Sequence, residues 1–512
     1  MRRQSYIRRE IKQLPLFLIL FGAMSVSMVV PAGFGAYIGE HDASQAFFYA
    51  GLLGVVTTLM ISIAHAGRRP RHGTLGPLLS LFSAFVFLPF FLAVPFIEAL
   101  PTTRFIHAYF EMVSAMTTTG ATMFADPERL GATLHLWRAQ VGWMGGLLMW
   151  VAAVAILAPL HLGGFEVTAQ AEPGRRESKL NNLMAPLGSR ERLWRGINTL
   201  APLYCGLTLV LWIVLVFSGE QSFIALCHAM SVMATSGITP LSVTDGVSGG
   251  LVGEILMAMF MLFALSRLTF STDTVTATQG GLRTDPEFRI GLAIIVGVPL
   301  LLFIRHWIAT LDVVSDTGFL DALLALWGGV FTVLSFVTTT GFVSSSWADA
   351  QNWSGLGNPG LILMALALMG GGVATTAGGV KLLRVFALYR NGLREMEQLV
   401  HPNSVSGAGV AGRRLQSGGA FIAWIFFMLF ALSMTAVTLA LAATGSSFEE
   451  AIILSIAMLS TTGPLTQVAG EAPVALIELG TWAKMILCGA MVVGRLETLA
   501  IIALLTPDLW RA

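Results

Sequence analysis

Apolar positions in this chain come in long runs divided by short polar or basic stretches. No Asp, Glu, Lys or Arg occurs in 13–39, 43–67, 72–97, 139–165, 196–219, 350–380 or 415–448. A helix that crosses a bilayer needs roughly 20 predominantly apolar residues. Each run is long enough, so the pattern predicts an all-α polytopic membrane protein. The first two helices, within 14–36 and 45–66, are joined by the turn Gly39-Glu40-His41-Asp42 and form a hairpin over 1–72. The run behind the basic N-terminus covers 27 residues. That is too long for a signal-peptide core, and it is read as a retained first helix.

Behind the hairpin one polar pattern recurs. Met116-Thr117-Thr118-Thr119-Gly120-Ala121-Thr122, Met233-Ala234-Thr235-Ser236-Gly237-Ile238-Thr239, Ser335-Phe336-Val337-Thr338-Thr339-Thr340-Gly341-Phe342 and Leu459-Ser460-Thr461-Thr462-Gly463-Pro464-Leu465 each set a Thr-Gly turn between apolar segments. Their glycines lie 117, 104 and 122 residues apart, so one unit is used four times. Each unit is predicted as an outer helix, a short half-helix, the turn and a returning helix. The half-helices are placed at 105–117, 222–234, 321–337 and 448–459, and the returning helices at 136–160, 250–270, 357–385 and 477–504. The units occupy 73–165, 197–275, 276–395 and 396–512, with a cytoplasmic loop at 166–196. The half-helices are too short to span and carry Glu111, Ser114, Ser231, Ser335 and Ser455. Non-helical backbone at membrane depth is tolerated where protein encloses it or water lines it. Four such segments predict a pore between them.

Charge then sets the orientation. With the N-terminus in the cytoplasm, 24 of the 30 basic residues fall on cytoplasmic segments or their edges, as the positive-inside rule requires. They include Arg68, Arg69 and Arg71, the loop residues from Arg175 to Arg195, and Lys381, Arg384, Arg390 and Arg394. This supports ten spanning helices, both termini inside and turns approached from the periplasm. Composition agrees: 55% of residues are hydrophobic and 12% charged, against about 25% charged in soluble domains. Cys205, Cys227 and Cys488 are scattered without metal or disulfide spacing. There is no Walker or dinucleotide glycine motif and no catalytic triad, so the chain reads as a non-enzyme with no organic cofactor and no nucleic-acid partner. His107, His228 and His306 are isolated. Glu111 and Glu254 suit either a vestibule or packing caps.

The turns carry the candidate chemistry. A dehydrated cation needs close oxygen ligands, which rings of backbone carbonyls provide in potassium filters. Glycine permits the backbone angles that turn successive carbonyls to one side, and threonine adds an uncharged hydroxyl. The candidate ligands are Thr118, Thr119, Gly120, Thr235, Ser236, Gly237, Thr339, Thr340, Gly341, Thr461, Thr462 and Gly463. No turn holds an acidic residue, which favours a monovalent ion.

Two further stretches stand out. Met369-Gly370-Gly371-Gly372-Val373-Ala374-Thr375-Thr376-Ala377-Gly378-Gly379-Val380-Lys381 interrupts the third returning helix. Its glycines disfavour continuous helix. It reads either as a close helix-packing surface or as a gate over 370–379 that crosses the pore, with Lys381 and Arg384 at its cytoplasmic exit. Arg495, in Gly494-Arg495-Leu496-Glu497, sits inside the last apolar segment. A guanidinium there should face water or a partner: a pairing across repeats, or a pore-facing charge below the turns that opposes unregulated flow.

These stretches resemble the Trk/Ktr/HKT superfamily of potassium transporters, and within it the TrkH-like membrane subunits. Phe110-Glu111-Met112-Val113-Ser114, Cys227-His228-Ala229-Met230-Ser231, Thr376-Ala377-Gly378-Gly379-Val380-Lys381, Trp137-Arg138, Trp143-Met144-Gly145-Gly146 and Ala171-Glu172-Pro173-Gly174 carry the likeness beside the four turns. The resemblance implies four helix–pore-loop–helix repeats around one pore, with filter glycines at Gly120, Gly237, Gly341 and Gly463. It also implies a gating loop over 370–379 and a pore arginine at Arg495. It implies a homodimer in the bacterial inner membrane and a cytoplasmic TrkA-like nucleotide-binding regulatory subunit, with K+ as the transported ion. Two turns depart from the family pattern. Ser236 stands where a glycine is usual, and Thr461-Thr462-Gly463-Pro464-Leu465 replaces Asn-x-Gly-Pro-Gly. Two other readings are a sodium-permeable transporter of the same fold and a secondary carrier with midplane sites. Channel-like flow and symport with protons or sodium are both compatible with these residues.

Overall fold

A computed structural model describes residues 14–65, 76–158, 189–242, 249–266, 285–309, 319–354, 359–401 and 419–497. Every regular element among them is helical. The basic residues Arg2 to Lys12, Arg68, Arg69, Arg71, Arg175, Arg176, Lys179, Arg267, Arg283, Arg413, Arg414 and Arg511 lie outside the described residues. So do the Ala171-Glu172-Pro173-Gly174 stretch and most of the 166–196 loop.

The N-terminal hairpin is α1 (Leu16–Ser27) and α2 (Val29–Ile38), one span interrupted at Met28, followed by α3 (His41–His65). It is fastened to the first repeat by polar contacts that the apolar pattern does not show. The Glu40 carboxylate accepts from the backbone N–H groups of Ala132 (3.0 Å) and Thr133 (3.1 Å). Those are free donors at the start of α6, where a carboxylate also complements the helix dipole. Gln140 Nε2 donates to the Ser27 carbonyl at 2.8 Å.

The first of the four units expected from the sequence holds α4 (Gly76–Ala99), α5 (Phe105–Met116) and α6 (Ala132–Ala152), which continues through a π turn, Ala153–Leu157. The second holds α7 (Ser189–Phe217), α8 (Ser222–Ala234) and α9 (Gly250–Met261), which ends in a 3-10 turn, Leu262–Leu265. The third holds α10 (Pro286–Ala309), α11 (Phe319–Val337), α12 (Trp347–Ser354), α13 (Gly360–Met369) and α14 (Leu382–Val400). The fourth holds α15 (Gly419–Ala443), α16 (Phe448–Leu459), the one-turn α17 (Leu465–Val468) and α18 (Thr481–Leu496).

Seven described helices are long and apolar enough to cross a membrane: Leu16–Ile38, His41–His65, Gly76–Ala99, Ala132–Leu157, Glu191–Phe217, Pro286–Ile304 and Gly419–Ala443. The returning helices predicted at 250–270, 357–385 and 477–504 are shorter. The first passes into 3-10 geometry at Leu262 and the second stops at Met369, before Gly370. The third ends at Leu496. The long spans expose their apolar side chains outward, Leu53, Met60, Val210 and Leu432 among them. The short helices α5, α8 and α16 lie in the centre, with most of their residues buried. The start of α16 is fixed by a capping box: Glu450 N–H donates to Ser447 Oγ (3.3 Å), and Ser447 N–H to the Glu450 carboxylate (3.0 Å).

Candidate functional site

The four Thr-Gly turns end their helices in one way. A threonine takes the left-handed region at each: Thr118 (φ 55°), Thr235 (50°), Thr339 (56°) and Thr461 (54°). The next N–H reaches back five residues: Thr119 to the Ser114 carbonyl, Ser236 to Ser231, Thr340 to Ser335 and Thr462 to Ala457, at 2.8–2.9 Å. The left-handed threonine donates three residues back, to Ala115, Val232, Phe336 or Met458. This pair of bonds is a Schellman ending, whose left-handed position glycine usually fills. A β-branched residue there costs roughly 1–2 kcal/mol. Strain repeated at four related places marks a functional constraint. The sequence pattern assigns the unusual backbone to the glycines; the threonine two residues earlier shares it.

The glycines bring the turns together. Gly120 (φ 73°), Gly237 (64°) and Gly341 (86°) also have positive φ, whereas Gly463 does not. A side chain at Gly120 would collide with the Ser236 carbonyl, and one at Gly237 with the Thr340 carbonyl. A Cβ at Gly341 would sit 2.8 Å from Pro464 Cγ, and one at Gly463 would strike the Ala121 backbone nitrogen. Turn one thus touches turn two, two touches three, three touches four and four touches one. The twelve candidate ligands all fall within this closed, buried ring. Its chemistry is carbonyl and hydroxyl oxygen. Thr118 Oγ1 and Thr461 Oγ1 are buried with no hydrogen-bond partner among the described residues.

The fourth turn departs from the others beyond its glycine. The Gly463 N–H donates to the Thr119 carbonyl at 2.6 Å. The Gly463 carbonyl accepts from Thr466 N–H (3.0 Å) and Thr466 Oγ1 (2.8 Å), inside the start of α17. The expectation that each glycine opens its turn by an unusual φ therefore holds at three positions. At the fourth, Pro464 fixes an ordinary helical start with φ −56°, and helix formation takes up the carbonyl.

Buried polar groups hold the chain leaving the first three turns. Glu111 accepts from Thr122 Oγ1 (2.8 Å) and Met123 N–H (2.6 Å) and pairs with Arg138 Nε at 2.8 Å. His228 joins Glu220 (2.8 Å) to Thr239 Oγ1 (2.9 Å). Glu254 accepts from Trp327 Nε1, Ser344 Oγ, Ser345 N–H and Ser345 Oγ, at 2.7–2.9 Å. Of the two roles open to Glu111 and Glu254, both carboxylates take the capping one. The sequence signal was available for Glu111, at a fixed offset before its turn. It was absent for Glu254, which reaches across from the preceding repeat.

The glycine-rich segment lies against the ring. From Gly370 (φ 70°) to Gly379 (φ 76°) the chain is not helical. Gly378 N–H donates to Thr339 Oγ1 at 2.7 Å, and a side chain at Gly378 would collide with the Ser460 carbonyl and Thr461 Oγ1. Gly371 and Gly372 pack on the carbonyls of Ala264 and Leu265. Thr375 Oγ1 donates to the Gly372 carbonyl at 2.7 Å, and Thr376 Oγ1 contacts the Met233 carbonyl at 3.4 Å. Val373 N–H donates to Glu287 Oε1 at 3.1 Å. Arg495 Nη1 donates to the Thr376 carbonyl at 2.6 Å, while its Nε and Nη2 are buried without a partner among the described residues.

Lys381 and Arg384, at the end of the segment, are both buried. Lys381 is buried, has φ 81° and donates to the Ala377 carbonyl. Arg384 is fully buried, bonded to Glu497 at 2.6 Å and stacked over the Phe426 ring at 3.6 Å. The physical reason is charge compensation: Glu497 and an aromatic face replace water for the guanidinium. Long-range pairing is made both by Arg495, to the Thr376 carbonyl, and by its neighbour Glu497, to Arg384.

Comparison with known proteins gives consistent results. The family described as cation transport protein TrkH matches residues 89–509. The Trk system potassium uptake protein TrkH of Salmonella typhimurium is 31% identical over 423 residues, covering 82% of each chain. That of Halomonas elongata is 31% identical over 408 residues, covering 79% of each. The crystal structure of the potassium transporter TrkH from Vibrio parahaemolyticus superposes with a TM-score of 0.80. It is 26% identical and covers 98% of this chain and 99% of that one.

Proposed function

The chain belongs to the TrkH family of cation transport proteins, and on that premise we propose how its residues carry out potassium uptake. Potassium is the transported ion, and the four-turn ring is the selectivity filter. The closed contact of four turns built on one strained helix ending carries this reading. Carbonyls of all four turns, Thr118 to Gly120, Thr235 to Gly237, Thr339 to Gly341 and Thr461 to Gly463, replace water around the ion. The Thr119 carbonyl is shared with the Gly463 N–H and the Gly463 carbonyl with Thr466, and hydroxyls of Thr118 and Thr461 are at hand. The segment 370–379 is the gate. Arg495 holds it at Thr376 and places a positive charge below the filter, which shortens cation residence.

We assign the same division of the chain as its pattern suggests: a hairpin over 1–72, repeats at 73–165, 197–275, 276–395 and 396–512, and a cytoplasmic loop at 166–196. Ten spans, both termini cytoplasmic, in a bacterial inner membrane follow from the basic residues. A homodimer with a cytoplasmic TrkA-like nucleotide-binding subunit completes the proposal. Inward flow is driven at least in part by the membrane potential, about 2.3 kcal/mol per charge per 100 mV, with symport as the alternative. A sodium-permeable pore is the second reading. It is favoured by one observation, the engagement of the Gly463 carbonyl by Thr466.

The test is rubidium uptake into proteoliposomes, alone and with the regulatory subunit, competed by potassium or sodium. Competition by potassium and not sodium, weakened in Gly341→Ser, is the expected result. Equal competition by both ions selects the sodium-permeable reading. Unchanged selectivity and uptake in Gly341→Ser would remove the filter assignment.

A further inference from the structure

Glu111, Glu220, Lys484 and Glu254 are buried charged side chains outside the glycine-rich segment, and their surroundings differ. Glu111 is cancelled by Arg138. Glu220 is bonded to His228. Lys484 contacts His107 (3.0 Å) and the Ile477 carbonyl (2.8 Å). His107 lies nine residues before the end of α5, about 13 Å along the helix axis from its turn. Glu254 is only 1% exposed and makes no ion pair among the described residues. Its four partners, Trp327 Nε1, Ser344 Oγ, Ser345 N–H and Ser345 Oγ, are all neutral donors. Trp327 Nε1 and the Ser345 amide can only donate, so both carboxylate oxygens act as acceptors. Ser344 is three residues past Gly341. Glu254 is therefore a buried carboxylate with no cation beside it among the described residues, set behind the segment that follows the third turn.

We propose that Glu254 has a second task beside holding that turn: its uncompensated charge gathers monovalent cations at the outer mouth and raises the apparent affinity for potassium. The inference rests on the ring being the ion pathway. A charge walled by apolar helices acts through a medium less polarisable than water, and clefts of one sign focus counter-ions. At a distance of several ångströms the effect on local cation concentration is roughly three- to tenfold. Lys484 opposes it weakly because it sits toward the far end of α5. The asymmetry places cation entry on the third-turn side of the mouth.

The experiment measures initial rubidium uptake against concentration in proteoliposomes holding the full chain. It compares the unaltered protein, Glu254→Gln and Glu254→Asp at low and high choline chloride. Choline screens exposed fields and does not fit a potassium filter. In Glu254→Gln the half-saturating rubidium concentration should rise about three- to tenfold at low salt. The amide also turns an N–H toward Trp327 Nε1 or the Ser345 amide, which can only donate, so maximal rate and preference fall as well; the charge effect is the part of the affinity loss that Glu254→Asp does not show. Glu254→Asp keeps the charge and shortens its reach, so affinity should be retained even where preference shifts. Half-saturation unchanged in Glu254→Gln overturns the proposal. So does equal damage to affinity and preference in both variants, which would leave Glu254 a purely structural brace. Absence of rubidium uptake by the unaltered protein with its regulatory partner would overturn the pore reading itself, a result distinct from either.

Discussion

The third and fourth turns begin alike and end differently. Both follow a short buried helix, and both put a threonine in the left-handed region, Thr339 and Thr461. Both close with a bond five residues back, Thr340 to Ser335 and Thr462 to Ala457. After the glycine they part. Gly341 keeps φ at 86° and its outgoing strand is held from behind by Glu254. Gly463 has an ordinary angle, gives its N–H to Thr119, and surrenders its carbonyl to Thr466 as α17 begins. The helix ending is thus the shared device, and the residues after the glycine decide whether the chain stays out of helix, as at 341–344, or starts a new one, as α17 does. Turn four is tied to turn one through the Gly463 N–H.

The comparison breaks most sharply at the glycines. Gly463→Ala would drive a methyl into the Ala121 backbone nitrogen, which has no freedom to withdraw. Overpacking of this kind costs up to about 3 kcal/mol, and rubidium uptake should fall a hundredfold or more. Gly341→Ala meets Pro464 side-chain atoms at 2.8–3.0 Å, together with a left-handed backbone. The backbone strain alone is roughly 1–2 kcal/mol, a smaller loss. Adding Pro464→Ala should recover part of the Gly341→Ala defect and none of the Gly463→Ala defect. Equal rescue of both would mean that the two glycines serve one purpose.

How much of this was legible beforehand depends on range. The turns and half-helices were visible because they repeat: α8 and α16 fall at 222–234 and 448–459, as the pattern placed them. The break at Gly370 was visible because five glycines interrupt an apolar run. The left-handed threonines were not, since β-branched residues rarely take that region and nothing local demands it. The capping role of Glu254 was one of two readings, but its Ser345 partner, 91 residues away, was not visible, nor was Glu287, whose partner is 86 residues away. The partner of Arg384 was not visible either, because Glu497 lies 113 residues on. Periodic features declare themselves in a sequence; a single buried charge does so only once its partner is known.

A second difference concerns the glycine-rich segment. It makes a hydrogen bond to turn three, Gly378 N–H to Thr339 Oγ1 at 2.7 Å. Against turn four it makes only close contact, with Thr461 Oγ1 unpartnered among the described residues. Thr339→Val keeps the shape and leaves a buried N–H unsatisfied, at a cost of about 1–3 kcal/mol to the closed position. Rubidium flux without the regulatory subunit should rise about tenfold. Thr461→Val removes no bond to the segment, so whatever it does to flux as a filter residue, the ratio of flux without the regulatory subunit to flux with it should stay within about twofold. A matching rise in both variants would show that the segment rests on packing rather than on the Thr339 bond.

The smallest effect lies in what holds the Gly463 carbonyl. Thr466 gives it two bonds, one from the backbone and one from Oγ1. Thr466→Val removes the hydroxyl bond and keeps the side-chain volume, while Thr466→Ser keeps the bond. A neutral hydrogen bond contributes roughly 1 kcal/mol net, so the carbonyl becomes a few-fold more available to an ion. In Thr466→Val the potassium-over-sodium preference should shift about threefold toward potassium, with Thr466→Ser unchanged. The direction matters more than the size. A freed carbonyl makes turn four resemble turn three. A shift toward sodium would mean that the brace itself sets the spacing of the ring. Turn four would then contribute to selectivity by holding Thr119 in place through the Gly463 N–H, not by offering a ligand.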